Sequence, residues 1–322
     1  MSLGKRAFLG TAAAVLAWPC VGMAQAWPEK PIRYIVPYAA GGVTDELARI
    51  VTNGLHLGQP VIVDNKPGQG GGIGMAELAR SAPDGYTIGG GTLGTHVLNP
   101  ALYPKLGYDP QKSFVPVILL AKQPNILLVN PSLGVNTVQE LISLLKAHPG
   151  KYSFGSSGNG SSQHIAGEMF KRAAAVNVQH VPYKGSGQIL TDLLGNHIHM
   201  AIDNISAGLP MVRSGKLKAL AVTSLKRSPA APDLPTLDES GLANFEMVPW
   251  HAVFAPAGTP AVVVSRLNQG INAILAQPAT RKRLEELGIE DPGGTPEDVG
   301  KLLAKDLPRM KEIVVSSGAT ID

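Results

Sequence analysis

Two short runs in this sequence have the residue types needed to hold an anion without a cationic side chain. The first is P-Y-A-A-G-G-V-T-D, Pro37 to Asp45, and the second is S-S-G-N-G-S-S-Q-H, Ser156 to His164. Each places small residues directly after an apolar stretch and directly before a helical pattern. In such a strand–turn–helix unit the first helical N–H groups have no intrahelical partner, and the helix dipole adds partial positive charge. A carboxylate or a phosphate suits a turn of this kind. Thr44 stands where a helix N-cap would, with Asp45 and Glu46 in the first turn. Asp45 has two readings, a favourable partner for the dipole or a group that holds waters or loop amides for a ligand. In the second run the serines read as caps and His164 as a first-turn residue. Asp203 ends an alternating run of Ile198, Met200 and Ile202, which places it at a strand's carboxyl end, where open α/β sheets bind ligands.

Other chemistries lack their context. Gly89 to Gly94 matches G-x-G-x-x-G, but Asn99-Pro100 cuts the following helix short and no acidic residue follows a second strand at the right distance. Thr92 in that turn can still offer a hydroxyl to a ligand. Ser156, Ser161 or Ser162 with His164 would crowd nucleophile and base at one helix start, with no orienting carboxylate. His197 and His199 share a face of an expected strand without the further ligands a metal site needs. No catalytic residue, metal or cofactor is expected. Trp250 suits a hinge better than a cleft lid.

The elements that would position these turns alternate. Ile32 to Val36, Pro60 to Val63 and Tyr86 to Gly89 read as strands, with helices after Thr44 and from Met75 to Ser81. Val115 to Leu120 is a further strand, and beyond Lys122-Gln123-Pro124 the run Ile126 to Val129 continues it, as a segment passing between two bodies would. The second half repeats the grammar. Thr137 to Glu140 is a capping box, Lys151 to Gly155 a strand, and the helix after Ser162 turns Ile165, Met169, Phe170 and Ala173 to one face. Val248 to Ala255 resembles a second crossing segment, and helices opened by Thr259-Pro260 and Thr295-Pro296 close the chain. Alternating β and α units predict parallel sheets with helices on both faces.

Lys5-Arg6, the apolar Ala7 to Ala17 and Ala24-Gln25-Ala26 before Trp27 have the order of an export signal with an A-x-A cleavage site. The apolar stretch falls short of the roughly 20 residues that cross a bilayer. The single cysteine, Cys20, lies inside this segment, so the exported chain contains no disulfide. Loss of Lys5 and Arg6 halves the formal charge of +4, and no basic run or aromatic-basic interleaving points to nucleic acid. Hydrophobic content of 44% with 5% aromatic residues predicts aliphatic cores.

The runs PYAAGGVTDELAR (Pro37 to Arg49), NKPGQGGGIG (Asn65 to Gly74), PDGYTI (Pro83 to Ile88) and VPYKGSGQILTDLLGNHIHMAIDN (Val181 to Asn204) together resemble the Bug-type, or TctC-like, receptors of tripartite tricarboxylate transporters. The resemblance spans essentially all of the chain after Ala26. It implies a type II periplasmic-binding-protein fold, with one α/β domain from 27–125 plus 251–322, a second from 126–250, and two crossing strands between them. It implies a monomeric periplasmic receptor that closes on a small organic acid and delivers it to membrane transporter subunits, or reports it to a sensor kinase. By position it assigns the ligand to Tyr38, Ala40, Gly41, Gly42, Thr44 and Asp45 in the first turn and to Ser156, Gly158, Gly160, Ser161 and His164 in the second, with Thr92 and Asp203 flanking. Val43, Glu46, His96 and His199 depart from the family pattern, and Val43 and His96 are expected near the cleft. The competing reading is an exported hydrolase or isomerase in the same cleft.

Overall fold

The computed structural model describes residues 27–290 and 292–321, so the expected export signal lies outside the described residues. The chain runs β1 (Ile32–Val36), α1 (Val43–Gly54), β2 (Val61–Asn65), α2 (Gly72–Ala79), β3 (Thr87–Thr92), a π-helical turn at Gly94–Leu98, the short α3 (Asn99–Leu102) and β4 (Phe114–Lys122). It continues through β5 (Asn125–Val129), α4 (Val138–Ala147), β6 (Ser153–Ser156), α5 (Ser162–Ala174), β7 (Gln179–Pro182), α6 (Ser186–Leu194), β8 (Met200–Asn204), α7 (Ile205–Arg213) and β9 (Lys218–Val222). It returns along β10 (Trp250–Pro256) and ends with α8 (Ala261–Leu275), α9 (Pro278–Glu286) and α10 (Pro296–Ser317).

These strands form two five-stranded sheets of the same plan, β2-β1-β3-β10-β4 and β7-β6-β8-β5-β9. The expectation of parallel sheets needs correction, because each is mixed. β10 runs antiparallel to β3 and β4, and β5 runs antiparallel to β8 and β9. Each of these two is the first strand laid down after the chain changes sheets. It arrives without the crossover helix that a parallel neighbour requires, and so enters from the opposite end. Only Gln123-Pro124 separates β4 from β5, whereas the return from β9 to β10 is long.

The two halves share packing. One cluster of buried residues runs from Ile35, Met75 and Leu98 on the first sheet's side to Leu127, Phe154 and Phe170 on the second, through Trp250, Phe254, Leu303 and Met310. α10 presents Val299, Leu303, Met310 and Val314 as a buried stripe at helical spacing and packs against both β4 and α5. Trp250 fills the junction between the halves. It is 1% exposed, and its Nε1–H donates to Asp306 Oδ2 of α10 at 2.9 Å.

Other local expectations shift. Gly42, not Thr44, is the N-cap of α1, because Thr44 already belongs to the helix. On α5 the buried stripe ends on Ala174, with Ala173 exposed, since helical rotation from Phe170 favours the fourth residue. His197 and His199 lie in the turn before β8 and not on a strand, and His199 Nδ1 stands 3.2 Å from both Ser153 N and Ser153 Oγ. The glycines of β3 make room for packing: a Cβ on Gly91 would lie 2.3 Å from His96 Cε1 and 2.6 Å from the Phe254 ring. His96 itself is fully buried, stacked on Phe254 at 3.9 Å, and is absent from the cleft wall.

Replacing Trp250 by Phe keeps most of the apolar volume but removes the partner of a buried carboxylate oxygen. A loss of about 1–3 kcal/mol is expected, seen in urea titration as a lower midpoint at an unchanged slope.

Candidate anion-binding cleft

The first turn connects β1 to α1. Gly41 holds φ +85°, which side-chain-bearing residues rarely adopt, yet nothing lies within 4 Å of where its Cβ would stand. Conformation, rather than space, demands glycine there. No side chain caps α1, so the N–H groups of Val43 and Thr44 start the helix without intrahelical partners. The turn is held from behind. Asp45 accepts the Gly41 N–H at 3.1 Å, Asn65 Nδ2 at 3.0 Å, and Arg49 Nε and Nη2 at 2.9 and 3.1 Å. Asn65 Nδ2 also donates to the Tyr38 carbonyl at 3.0 Å, and the Tyr38 hydroxyl lies 3.2 Å from Thr92 Oγ1. Burial pushes the Asp45 carboxyl up, but the hydrogen bonds from Arg49, Gly41 and Asn65 and the Arg49 charge outweigh it and hold the group below the ordinary range. Burial lifts the Tyr38 hydroxyl to about 12, so it stays protonated.

The second turn, between β6 and α5, spends most of its amides on itself. The Gly158 N–H goes to Ser156 Oγ at 3.2 Å, Gly160 N–H to His164 Nδ1 at 3.2 Å and Ser161 N–H to the Gly158 carbonyl at 3.1 Å. Ser161 caps α5 by accepting the His164 N–H at 3.2 Å, which leaves Ser162 and Gln163 as the helix-start residues that face the cleft. His164 stacks on His180 at 4.2 Å, and His180 Nε2 stands 2.6 Å from Ser156 Oγ. Burial, the neighbouring His180 and Lys171 press His164 down to about 3; burial and Lys171 press His180 to about 4. Both are neutral aromatic packing groups at ordinary pH.

A third helix start, not singled out above, completes the cleft. α6 opens at Gly185 without a side-chain cap, and Gly185 and Ser186 line the same space. The loop before it touches the first turn, where the Ala39 N–H donates to the Lys184 carbonyl at 3.0 Å. Behind lies Asp203, fully buried, whose Oδ1 accepts Ser186 Oγ–H at 2.7 Å, Gln163 Nε2–H at 3.1 Å and the Asn204 N–H at 2.8 Å. Burial raises its pKa, against the pull of those three donors.

The cleft is lined by residues of both sheets' loops and by the crossing strand β10. Tyr38, Gly42, Thr44 and Thr92 are among the lining residues. Ala40 and Gly41 sit on an exposed lip. Asp45, Ser156, Gly158, Gly160, Ser161, His164 and Asp203 form the layer behind the wall. Gly158 and Gly160 meet the other half directly: a Cβ on Gly160 would lie 2.0 Å from Asn99 Oδ1. The wall also contains Val43, as expected, together with Ser157, Ser162, Gln163, Gly185, Ser186, Asn204, Pro249 and His251. Ser186 follows a glycine turn of the same type as the other two and could have been read from that. His251 had no local signal. Among the described residues no Lys or Arg lines the cleft, and three helix N-termini, each equivalent to roughly half a positive charge, are the positive ends at its wall. Among the described residues, no group of three or more His, Cys, Asp or Glu side chains could hold a metal ion.

The family model described as "Tripartite tricarboxylate transporter family receptor" (TctC) matches residues 47–318. Among solved structures, Rpa4515 of R. palustris with adipate is similar at 38% identity and a TM-score of 0.88, over 91% of this chain and 99% of that one. The periplasmic binding protein BugD is similar at 37% and 0.87, over 91% and 99%. MatC (Rpa3494) from Rhodopseudomonas palustris with bound malate is similar at 34% and 0.86, over 89% and 100%.

Asp45→Asn should loosen the first turn, because the amide cannot match a carboxylate that accepts from Gly41, Asn65 and Arg49. The carboxylate's contribution is fully present above its unfolded value of about 3.9 and is lost as pH falls through its depressed folded value. Acid melts should therefore show the wild type losing stability below about pH 4 and the variant, already lower at neutral pH, losing less over that interval.

Proposed function

Because this chain belongs to the tripartite tricarboxylate transporter receptor family, whose members are solute-binding receptors and not enzymes, we propose that it captures a small organic carboxylate between its two halves and presents the closed form to a membrane transporter. One observation carries the reading: three helix starts, those of α1 and α6 without a side-chain cap and that of α5 capped only at its third N–H, converge on one cleft with no lysine or arginine among its lining residues. Such a site favours an anion small enough for backbone N–H groups to surround. The adipate and malate held by the two similar structures support a carboxylate as that anion.

In this reading the bodies 27–125 plus 251–322 and 126–250 move about β4–β5 and the return into β10. The Ala39–Lys184 hydrogen bond joins the lips in the closed arrangement. Ligand stabilises that arrangement by its difference in affinity for the two forms and no more. Residues 1–26 act as the export signal, which places the cleft in the periplasm. The serines and histidines of the second turn do structural work, since Ser161 caps a helix and His164 accepts a backbone N–H.

A thermal-shift screen over mono-, di- and tricarboxylates, followed by calorimetry on the hits, tests this. A saturating ligand at a hundredfold excess over Kd should add about 2.7 kcal/mol of stability, with one site per chain and the acid recovered intact. No shift with any organic acid, or chemical conversion of one, would overturn the reading.

A further inference from the structure

The cleft contains two polar atoms that the protein leaves without partners. His251 on β10 and Asn204 at the end of β8 both line it, and they are 5% and 4% exposed. The imidazole Nδ1 stands 3.1 Å from Thr44 Oγ1, whereas Nε2 has no hydrogen-bond partner, and Asn204 Oδ1 has none either. Buried side-chain polar atoms are paired in the large majority of cases, so two orphans on one cleft wall ask for a partner from outside the chain. Burial presses the His251 ring down to about 4, so it is neutral at ordinary pH, with one nitrogen donating and the other accepting.

The chemistry of these two atoms discriminates among substituents. If Thr44 donates to Nδ1, then Nε2–H is a donor; if Nδ1–H donates to Thr44, Nε2 is an acceptor. Asn204 Oδ1 is an acceptor in both cases. A hydroxyl donates and accepts, so it serves either tautomer and can also supply Asn204. A second carboxylate can accept from the Asn204 amide N–H groups or from Nε2–H, but it has no donor for Asn204 Oδ1. An ammonium only donates, and serves one tautomer. A methylene serves neither atom.

Resting on the carboxylate reading above, we propose that His251 and Asn204 form a subsite for a hydroxyl group of the bound acid, so that the receptor selects hydroxycarboxylates. The helix starts hold the carboxylate, and β10 brings hydroxyl recognition from the hinge side. Discrimination against the deoxy acid follows from leaving two buried polar groups unpaired.

Calorimetry on the purified protein with matched series tests this: propionate, lactate and alanine; butyrate, 3-hydroxybutyrate and 3-aminobutyrate; succinate, malate and aspartate. The hydroxy member of at least one series should bind at least about tenfold tighter than both its companions. His251→Phe should bring the hydroxy acid's affinity to that of its deoxy companion, read as the ratio of the two affinities on the same variant. Melting of the ligand-free variant reports its fold, and Asn204→Ala provides the same readout independently. Equal binding of hydroxy and deoxy acids in every series, tightest binding of an amino acid, or a hydroxyl preference that survives both substitutions overturns the subsite and leaves the carboxylate reading standing. Failure of every carboxylate to bind sinks that reading and the subsite with it.

Discussion

A helix N-terminus can attract an anion only if the protein's own side chains leave it unsatisfied, and the cleft is built on that constraint. α1 and α6 start on glycines that carry no capping group, and α5 is capped at its third N–H only, leaving Ser162 and Gln163 at the wall. Each start lies in a turn after a strand: sheet order sets those of α5 and α6 side by side after β6 and β7, while α1 comes from the other sheet. The acidic residues near the site fit the same logic. Asp45 and Asp203 are turned into the protein, where they tie down Gly41, Asn65, Ser186 and Gln163 and so keep the wall rigid. Their negative charge is the cost of that rigidity, reduced at Asp45 by Arg49.

β10 links the cleft to the hinge. Side chains alternate across a strand, so neighbouring residues on β10 serve different surfaces. Trp250 packs into the shared core and donates to Asp306 of α10, while His251 lines the cleft and pairs with Thr44 of α1. The continuous buried cluster from Ile35 to Phe170 makes the hinge a packed region and not a loose linker.

Much of the site's framework was legible locally. Both glycine turns, the strands before them and the helices after them follow from residue types within a few positions. Small errors arose where two local signals competed. Thr44 looked like a cap because threonine caps helices, but Gly42 ends the turn and Thr44's hydroxyl is spent on His251, 207 residues away. The expectation that Gly158 and Gly160 offer amides missed that Ser156 and His164 already accept them.

By itself the sequence determined the strand–turn–helix units, the repeat of that unit in each half and the family pattern, because each rests on periodicity, turn chemistry or the order of motifs along the chain. Only the tertiary structure decided which residues face the cleft. Ser186, Asn204 and His251 come from elements far apart in the chain, and a side chain's direction at a strand end depends on register with strands laid down elsewhere. The same holds for the mixed sheets, since the direction of β5 and β10 is set by where the chain re-enters a sheet. It holds also for Gly70 and Gly160, whose lack of a side chain answers to Asn159 and Asn99 across the divide.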